Sequence, residues 1–367
     1  MLKETNCSRF KVAAVQSGPI IRDASDWFDL KSSLSKATSL IAEAGKNGAR
    51  LIVFSECWLP GFTYWGFDFT DLVTYRDLWA AYLWNSIEVP GLETEALGQA
   101  AKKADIYVTI GINERDKEYP GRMYNSILYL DPSGEVIGIH RKICNTFGER
   151  LFHTPGDGGD NLKAVFDTGI GHIGGSICGE HSQFALMYNW IMQGVQIHCS
   201  LWPGLQSTKV ESDICSRAFC RSGHAFGIIS SGYFREQDLP KKFYKNSAFN
   251  IPGMICGGSG IVNPWGEYIA GPVYDEETII YGDIDLSESD KARFAVNLTG
   301  NYSRWDLLSL NVKQDTYKSL SPMQPAQELL SSSEAGEIIE LKARINQLEL
   351  LISDFLSEKP GDLPKGR

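Results

Sequence analysis

Three short apolar runs separated by amphipathic stretches set the frame of this chain: FKVAAVQ (10–16), LIVF (51–54) and IYVTIGI (106–112). Between the first two, Leu30, Leu34, Ala37, Ile41 and Ala44 recur at helical spacing behind the cap-like segment Asp23–Asp26, and Gly45 and Gly48 close the helix. AKKAD (101–105) closes a second helix. Buried strands alternating with amphipathic helices imply parallel strands joined by helical crossovers, so the chain is of the α/β class.

From residue 124 the rhythm changes. YNSILYL, the turn DPSGE and VIGIHRK form one hairpin, and AVFDT and HIGGSIC form another. A helix at about 183–193 ended by Gly194, the strand VQIHCS, a helix near 212–224, and the strands GIIS, SGIVN and TIIYGDI follow. One mixed domain therefore spans 1–315. The Ser/Pro-rich stretch 316–335 reads as a linker, and 359–367 as a tail. Between them, over 336–358, Ile338, Leu341, Ile345, Leu348, Ile352 and Phe355 form an a/d seam. Such a seam serves self-association as a coiled coil or docking on its own domain; association is the preferred reading.

Charge narrows the partners. A net charge of −10, from 45 acidic and 35 basic residues with no block of one sign, argues against nucleic acid or an anionic membrane as ligand. No apolar span is long enough for a bilayer, and MLKETNCSRF lacks the apolar core of a signal peptide, so a cytoplasmic protein is expected. Eight scattered cysteines suggest reduced thiols. The six histidines show neither HExxH nor paired Cys/His spacing, so no metal is expected.

Three strand ends carry candidate chemistry. Cys178 closes HIGGSIC, and a helix predicted a few residues later would stabilise its thiolate; a small buried hydrophobe is the plain alternative. Glu56 stands just past LIVF and Lys142 ends VIGIHRK, where α/β sheets place ligand sites. Alone, each is an ordinary solvated charge or sheet-edge lysine. Together they supply a base, an electrostatic stabiliser and a nucleophile for acyl-type transfer. GIGHIG (169–174) sits between strands and reads as a turn, not a dinucleotide fingerprint; GGSIC lacks the last glycine of GxSxG.

FSECWLPGFTYW (54–65), HRKICNTFGERLF (140–152) and SICGEHSQFALMY (176–188) resemble the glutamate, lysine and cysteine blocks of the nitrilase superfamily, in the family's order. The likeness extends over residues 10 to 315, through PGDG (155–158), IHCSLWPG (197–204), VNPWGEYIAGP (262–272) and GNYSRWDLLSL (300–310). It implies a four-layer α-β-β-α sandwich with the C-terminal helix as an extension, subunits that pair and extend into spirals, and no cofactor. It also implies that Cys178 attacks a nitrile carbon, Glu56 moves the proton, Lys142 stabilises developing charge, and Glu149 orients Lys142. The nitrile-hydrolysing branch is the closer match; amidases and N-carbamoyl amide hydrolases, which use the same triad, are the alternative, and a non-catalytic scaffold is a third reading. Glu180 is expected to fix the nucleophile turn. Tyr64, Trp65, Gly179, His181 and Trp202 are the candidate substrate contacts. The chain departs from the pattern at Gly179, where nitrilases carry Trp, at Asn145 for a proline, and at Asn301 and Trp305 for His and Pro. All four departures are expected near the site, with Gly179 enlarging or reshaping the pocket.

Overall fold

Alternation along the strands builds the core. In β1 (Arg9–Gln16), Val12 and Ala14 point to one face and Ala13 and Val15 to the other, as the twofold period of a strand requires. The computed structural model describes residues 9–21, 29–64, 72–238, 254–294, 296–313 and 332–357. The chain divides into two units, Met1–Thr316 and Tyr317–Arg367.

The first unit contains two six-stranded sheets. In one, β1, β2 (Ala49–Val53) and β3 (Tyr107–Arg115) run parallel; β4 (Met123–Leu130), β5 (Val136–Arg141) and, at the opposite edge, β12 (Thr278–Asp285) pair antiparallel. The other repeats the plan. There β7 (Gly171–Ile177), β8 (Ile197–Trp202) and β9 (Phe226–Ser231) are parallel, flanked antiparallel by β6 (Val165–Thr168), β10 (Gly257–Val262) and β11 (Tyr268–Tyr274).

Val12, Leu51, Val53 and Ile127 of the first sheet pack against Ile173, Cys199, Leu201 and Ile228 of the second. The opposite face of the first sheet, through Ala13, Ile52 and Ile110, packs on α1 (Leu30–Lys46) and α3 (Leu92–Ala104). Leu186, Trp190 and Phe219, from α4 (Phe184–Met192) and α5 (Lys209–Gly223), cover the second sheet with Val195 and Ala225. The result is the four-layer α-β-β-α sandwich that the resemblance implies.

The structure refines several boundaries. The N-cap of α1 is Asp29, which accepts from the Ser32 amide at 3.0 Å; the expected cap segment Asp23–Asp26 lies outside the described residues. α2 (Leu72–Asn85), β11 and α6 (Ser287–Ala292) were not expected. The apolar residues of α2 spread round the helix instead of forming a stripe, which left no periodicity to read. In the second unit, α7 (Ser332–Ser357) begins four residues earlier than predicted, and most of the expected linker lies outside the described residues. Seven described cysteines are free thiols.

Candidate active site

The candidate groups come from strand ends of both sheets. β2 ends at Val53, and the Glu56 amide donates to the Trp202 carbonyl of the second sheet at 3.4 Å. Gly111 makes room for this loop, since a Cβ there would lie 2.2 Å from the Ser55 carbonyl oxygen. Lys142 follows β5, and its amide donates to the Asn125 carbonyl of β4 at 2.7 Å. Glu149 sits in the 3-10 turn Phe147–Leu151, whose cap residue Thr146 donates its amide to Glu149 Oε2 at 2.8 Å. Cys178 follows β7 and opens the 3-10 turn Cys178–Ser182 with φ +49°, a left-handed conformation that a residue with a Cβ adopts only when its surroundings enforce it.

Lys142 is fully buried and shared by two carboxylates. Its Nζ donates to Glu56 Oε1 at 2.8 Å and to Glu149 Oε2 at 2.6 Å. Asn125 Nδ2 donates to Glu56 Oε1 and to Glu149 Oε1, both at 2.7 Å, closing a network around the ammonium. Among the described residues, Glu56 Oε2 accepts no hydrogen bond. Glu180 links the two strand ends: its carboxylate accepts from the Ile177 amide at 3.0 Å, the Ile143 amide at 2.6 Å and the His140 ring at 3.0 Å.

Electrostatics separates the two glutamates. Burial, then the negative charge of Glu149, raises Glu56 to about 7 against the pull of Lys142. Glu149 is buried too, yet Lys142 and His153 hold it well below the usual carboxylate range. The Cys178 thiol is pushed well above its ordinary value by burial and by Glu56, despite Lys142 and a bond from the Gly179 amide. The help that a helix start was expected to give the thiolate is weakened by distance, since α4 begins only at Phe184, beyond the 3-10 turn, and Lys142 is held by two carboxylates. Burial thus favours the neutral thiol of Cys178 and raises the neighbouring Glu56 carboxyl.

The candidate substrate contacts divide. Gly179 is half-buried, and a Cβ on it would lie 2.8 Å from Thr146 Oγ1, so a side chain here would press on Thr146. Tyr64 is buried and donates its hydroxyl to the Pro203 carbonyl at 2.7 Å. His181 and Trp202 are stacked on one another, 5.0 Å between centroids, and both are buried. The indole donates to Ser216 Oγ at 3.1 Å. Trp65 lies outside the described residues.

Asn145 ties its own loop together by donating to the His153 carbonyl at 2.7 Å. Asn301 and Trp305 are exposed, and Trp305 donates to the Tyr188 hydroxyl of α4 at 3.0 Å. Asn125, His140, His198 and Ser200 were missed. Their signal was a polar side chain inside an apolar strand, as in YNSILYL and IHCSLW. Among the described residues, no group of three or more His, Cys, Asp or Glu could hold a metal ion, and no helix is long and apolar enough to cross a membrane.

Comparison with known proteins agrees with this architecture. The profile of the carbon-nitrogen hydrolase family matches residues 11–294. Nitrilase 2 of an unknown prokaryotic organism is 34% identical over 287 residues, covering 78% of this chain and 88% of the relative. A nitrilase of Penicillium rubens is 32% identical over 317 residues, 83% of this chain and 93% of its own. Among solved structures, Saccharomyces cerevisiae Nit3, a member of branch 10 of the nitrilase superfamily, superposes with a TM-score of 0.62 at 21% identity, covering 80% of this chain and 96% of that one. With its two-sheet sandwich and its matched span, the chain belongs to the carbon-nitrogen hydrolase family and is a hydrolase acting on carbon–nitrogen bonds.

Proposed function

We propose that the protein hydrolyses an organic nitrile to the carboxylic acid and ammonia through a covalent bond to Cys178. The observation that carries this reading is the division of labour at Lys142: it holds one oxygen of Glu56 and one of Glu149, leaving Glu56 Oε2 without a hydrogen bond among the described residues. A carboxylate raised to about 7 by burial is a competent base for a thiol at neutral pH.

Glu56 takes the thiol proton as Sγ bonds to the nitrile carbon, and returns it to the nitrogen, giving a thioimidate. Lys142 and the Gly179 amide face the charge that develops, first on nitrogen and later on oxygen. Water adds to the thioimidate, the carbon–nitrogen bond breaks as ammonia leaves with its proton, and a second water hydrolyses the thioester. Glu149, held ionised, keeps Lys142 protonated and in place. The identity to curated nitrilases supports a nitrile over an amide as substrate.

Ammonia release by the purified protein, measured across aliphatic, aryl and arylaliphatic nitriles beside the matching amides, tests this reading. Release from nitriles is expected. Release from amides alone would make the protein an amidase or N-carbamoyl amide hydrolase, and silence on both would favour a scaffold. We also infer that α7 joins copies of this chain: Leu341, Ile345, Leu348 and Ile352 lie exposed along one seam.

A further inference from the structure

A pair of buried histidines behind the nucleophile has no part in the chemistry above. His181 Nδ1 lies 2.9 Å from the Cys178 carbonyl oxygen, and its Nε2 lies 3.1 Å from His198 Nε2 and 2.9 Å from Ser200 Oγ. A carbonyl oxygen only accepts, so Nδ1 of His181 carries the hydrogen. Burial keeps both rings neutral, drawing His181 down to about 4 and His198 well below its ordinary value. Nε2 of a neutral His181 with its hydrogen on Nδ1 is therefore a bare acceptor facing the Ser200 hydroxyl and the His198 ring, and a bare His198 Nε2 would set lone pair against lone pair at 3.1 Å, so His198 presents an N–H to it.

That assignment leaves His198 Nδ1 as a lone pair, and Nδ1 is the buried nitrogen of this ring that has no partner among the described residues. An unpaired acceptor is the tolerable kind of orphan; an unpaired N–H is rarer. The two rings meet nearly at right angles, at 86°, an arrangement compatible with an N–H of one pointing at the in-plane lone pair of the other. Each is clamped by an aromatic face, His181 by Trp202 and His198 by Phe219 at 3.8 Å between centroids. The chain thus runs from β8 through His181 to the carbonyl of a residue held at φ +49°.

We propose that His198 is a positioning residue for the nucleophile: it fixes the tautomer of His181, which anchors the Cys178 carbonyl and keeps the backbone turn that presents the thiol. The inference rests on Cys178 being the nucleophile. Removing the His198 donor leaves the Ser200 hydroxyl, at 2.9 Å, as the remaining partner of His181 Nε2, so the ring N–H that orients the imidazole is lost and its hold on the Cys178 carbonyl is loosened. Substrate binding is untouched, so the loss falls on the chemical step.

The test compares His198→Phe, which keeps an aromatic ring against Phe219 but has no donor, with His198→Gln, whose amide N–H can reach the same place. The readouts are kcat and KM on an accepted nitrile, and the rate at which iodoacetamide alkylates Cys178, followed by peptide mass spectrometry without substrate. For His198→Phe, kcat and alkylation are expected to fall by about tenfold, the scale of one lost buried hydrogen bond, with KM within about twofold. His198→Gln is expected to recover both to within about threefold. Equal losses in the two variants, or none in His198→Phe, would overturn the proposal. Should His198→Phe fail to fold, His198→Met, equally without a donor, takes its place. Alkylation needs no substrate, so a wild type silent on every nitrile would sink the functional reading while the alkylation rates still decide this one.

Discussion

Two glutamates bond to one lysine, and their surroundings drive them apart. Glu149 gains Lys142, Asn125 and the Thr146 amide and is held low; Glu56 has one oxygen without a partner among the described residues and rises to about 7. Divergence of this kind assigns the acid–base roles within a cluster. Glu56 must be ionised to accept the thiol proton, so kcat/KM is expected to climb with pH, reaching half its plateau near 7 and being lost below. Glu149 contributes to the elevation by repulsion, and Glu149→Gln should therefore move that limb to lower pH. A profile flat from pH 5 to 8, or a shift to higher pH in Glu149→Gln, would remove Glu56 from the role of base.

At the scale of elements, the site is an agreement between two turns. The loop carrying Glu149 and the turn opening at Cys178 meet where Thr146 Oγ1 occupies the place a side chain at residue 179 would take. Gly179→Ala is expected to push Thr146, whose amide holds Glu149, and to lower kcat by about tenfold, since a contact of 2.8 Å forces the neighbour to move. Removing the hydroxyl opens the space, so in a Thr146→Ala background the same substitution should have little further effect. A loss of equal size in both backgrounds would refute the coupling.

The same comparison shows what the sequence makes legible. Glu56, Lys142 and Cys178 could be read because each terminates an apolar run, where topology gathers strand ends. Asn125 and His198 could not, because a polar residue within a strand reads as solvent-facing until a second layer is known to cover it. Both sheets are covered on both faces, and the outward positions of β8, His198 and Ser200, pair with His181 instead of water. β11 escaped for the converse reason: YIAGPVY carries Gly271 and Pro272 in a half-exposed edge strand, where composition argues against a strand at all.

At the scale of the whole molecule, the two units pose separate problems. The first has a complete core between two sheets. Among the described residues the second holds one helix, α7, whose seam residues Leu341, Ile345, Leu348 and Ile352 are exposed, and most helical stability in proteins comes from packing an apolar face. Its register has Ile338, Ile345 and Ile352 at a, with Leu341, Leu348 and Phe355 at d, a pattern that favours two strands. Glu337 and Lys342, and Arg344 and Glu349, then occupy g and e positions of opposite charge, as a parallel pair requires. Truncation after residue 330 is expected to lower the mass seen by light scattering while leaving turnover per subunit in place. An unchanged mass would assign assembly to the catalytic unit instead.

The central claim is that all turnover passes through the Cys178 thiol, and Cys178→Ala tests it most directly. The variant removes only a sulfur from a side chain that is 7% exposed, so its fold can be verified by an unchanged melting curve. Ammonia release from the accepted nitrile should then fall to the uncatalysed rate. Turnover at the wild-type level in folded Cys178→Ala would contradict the account.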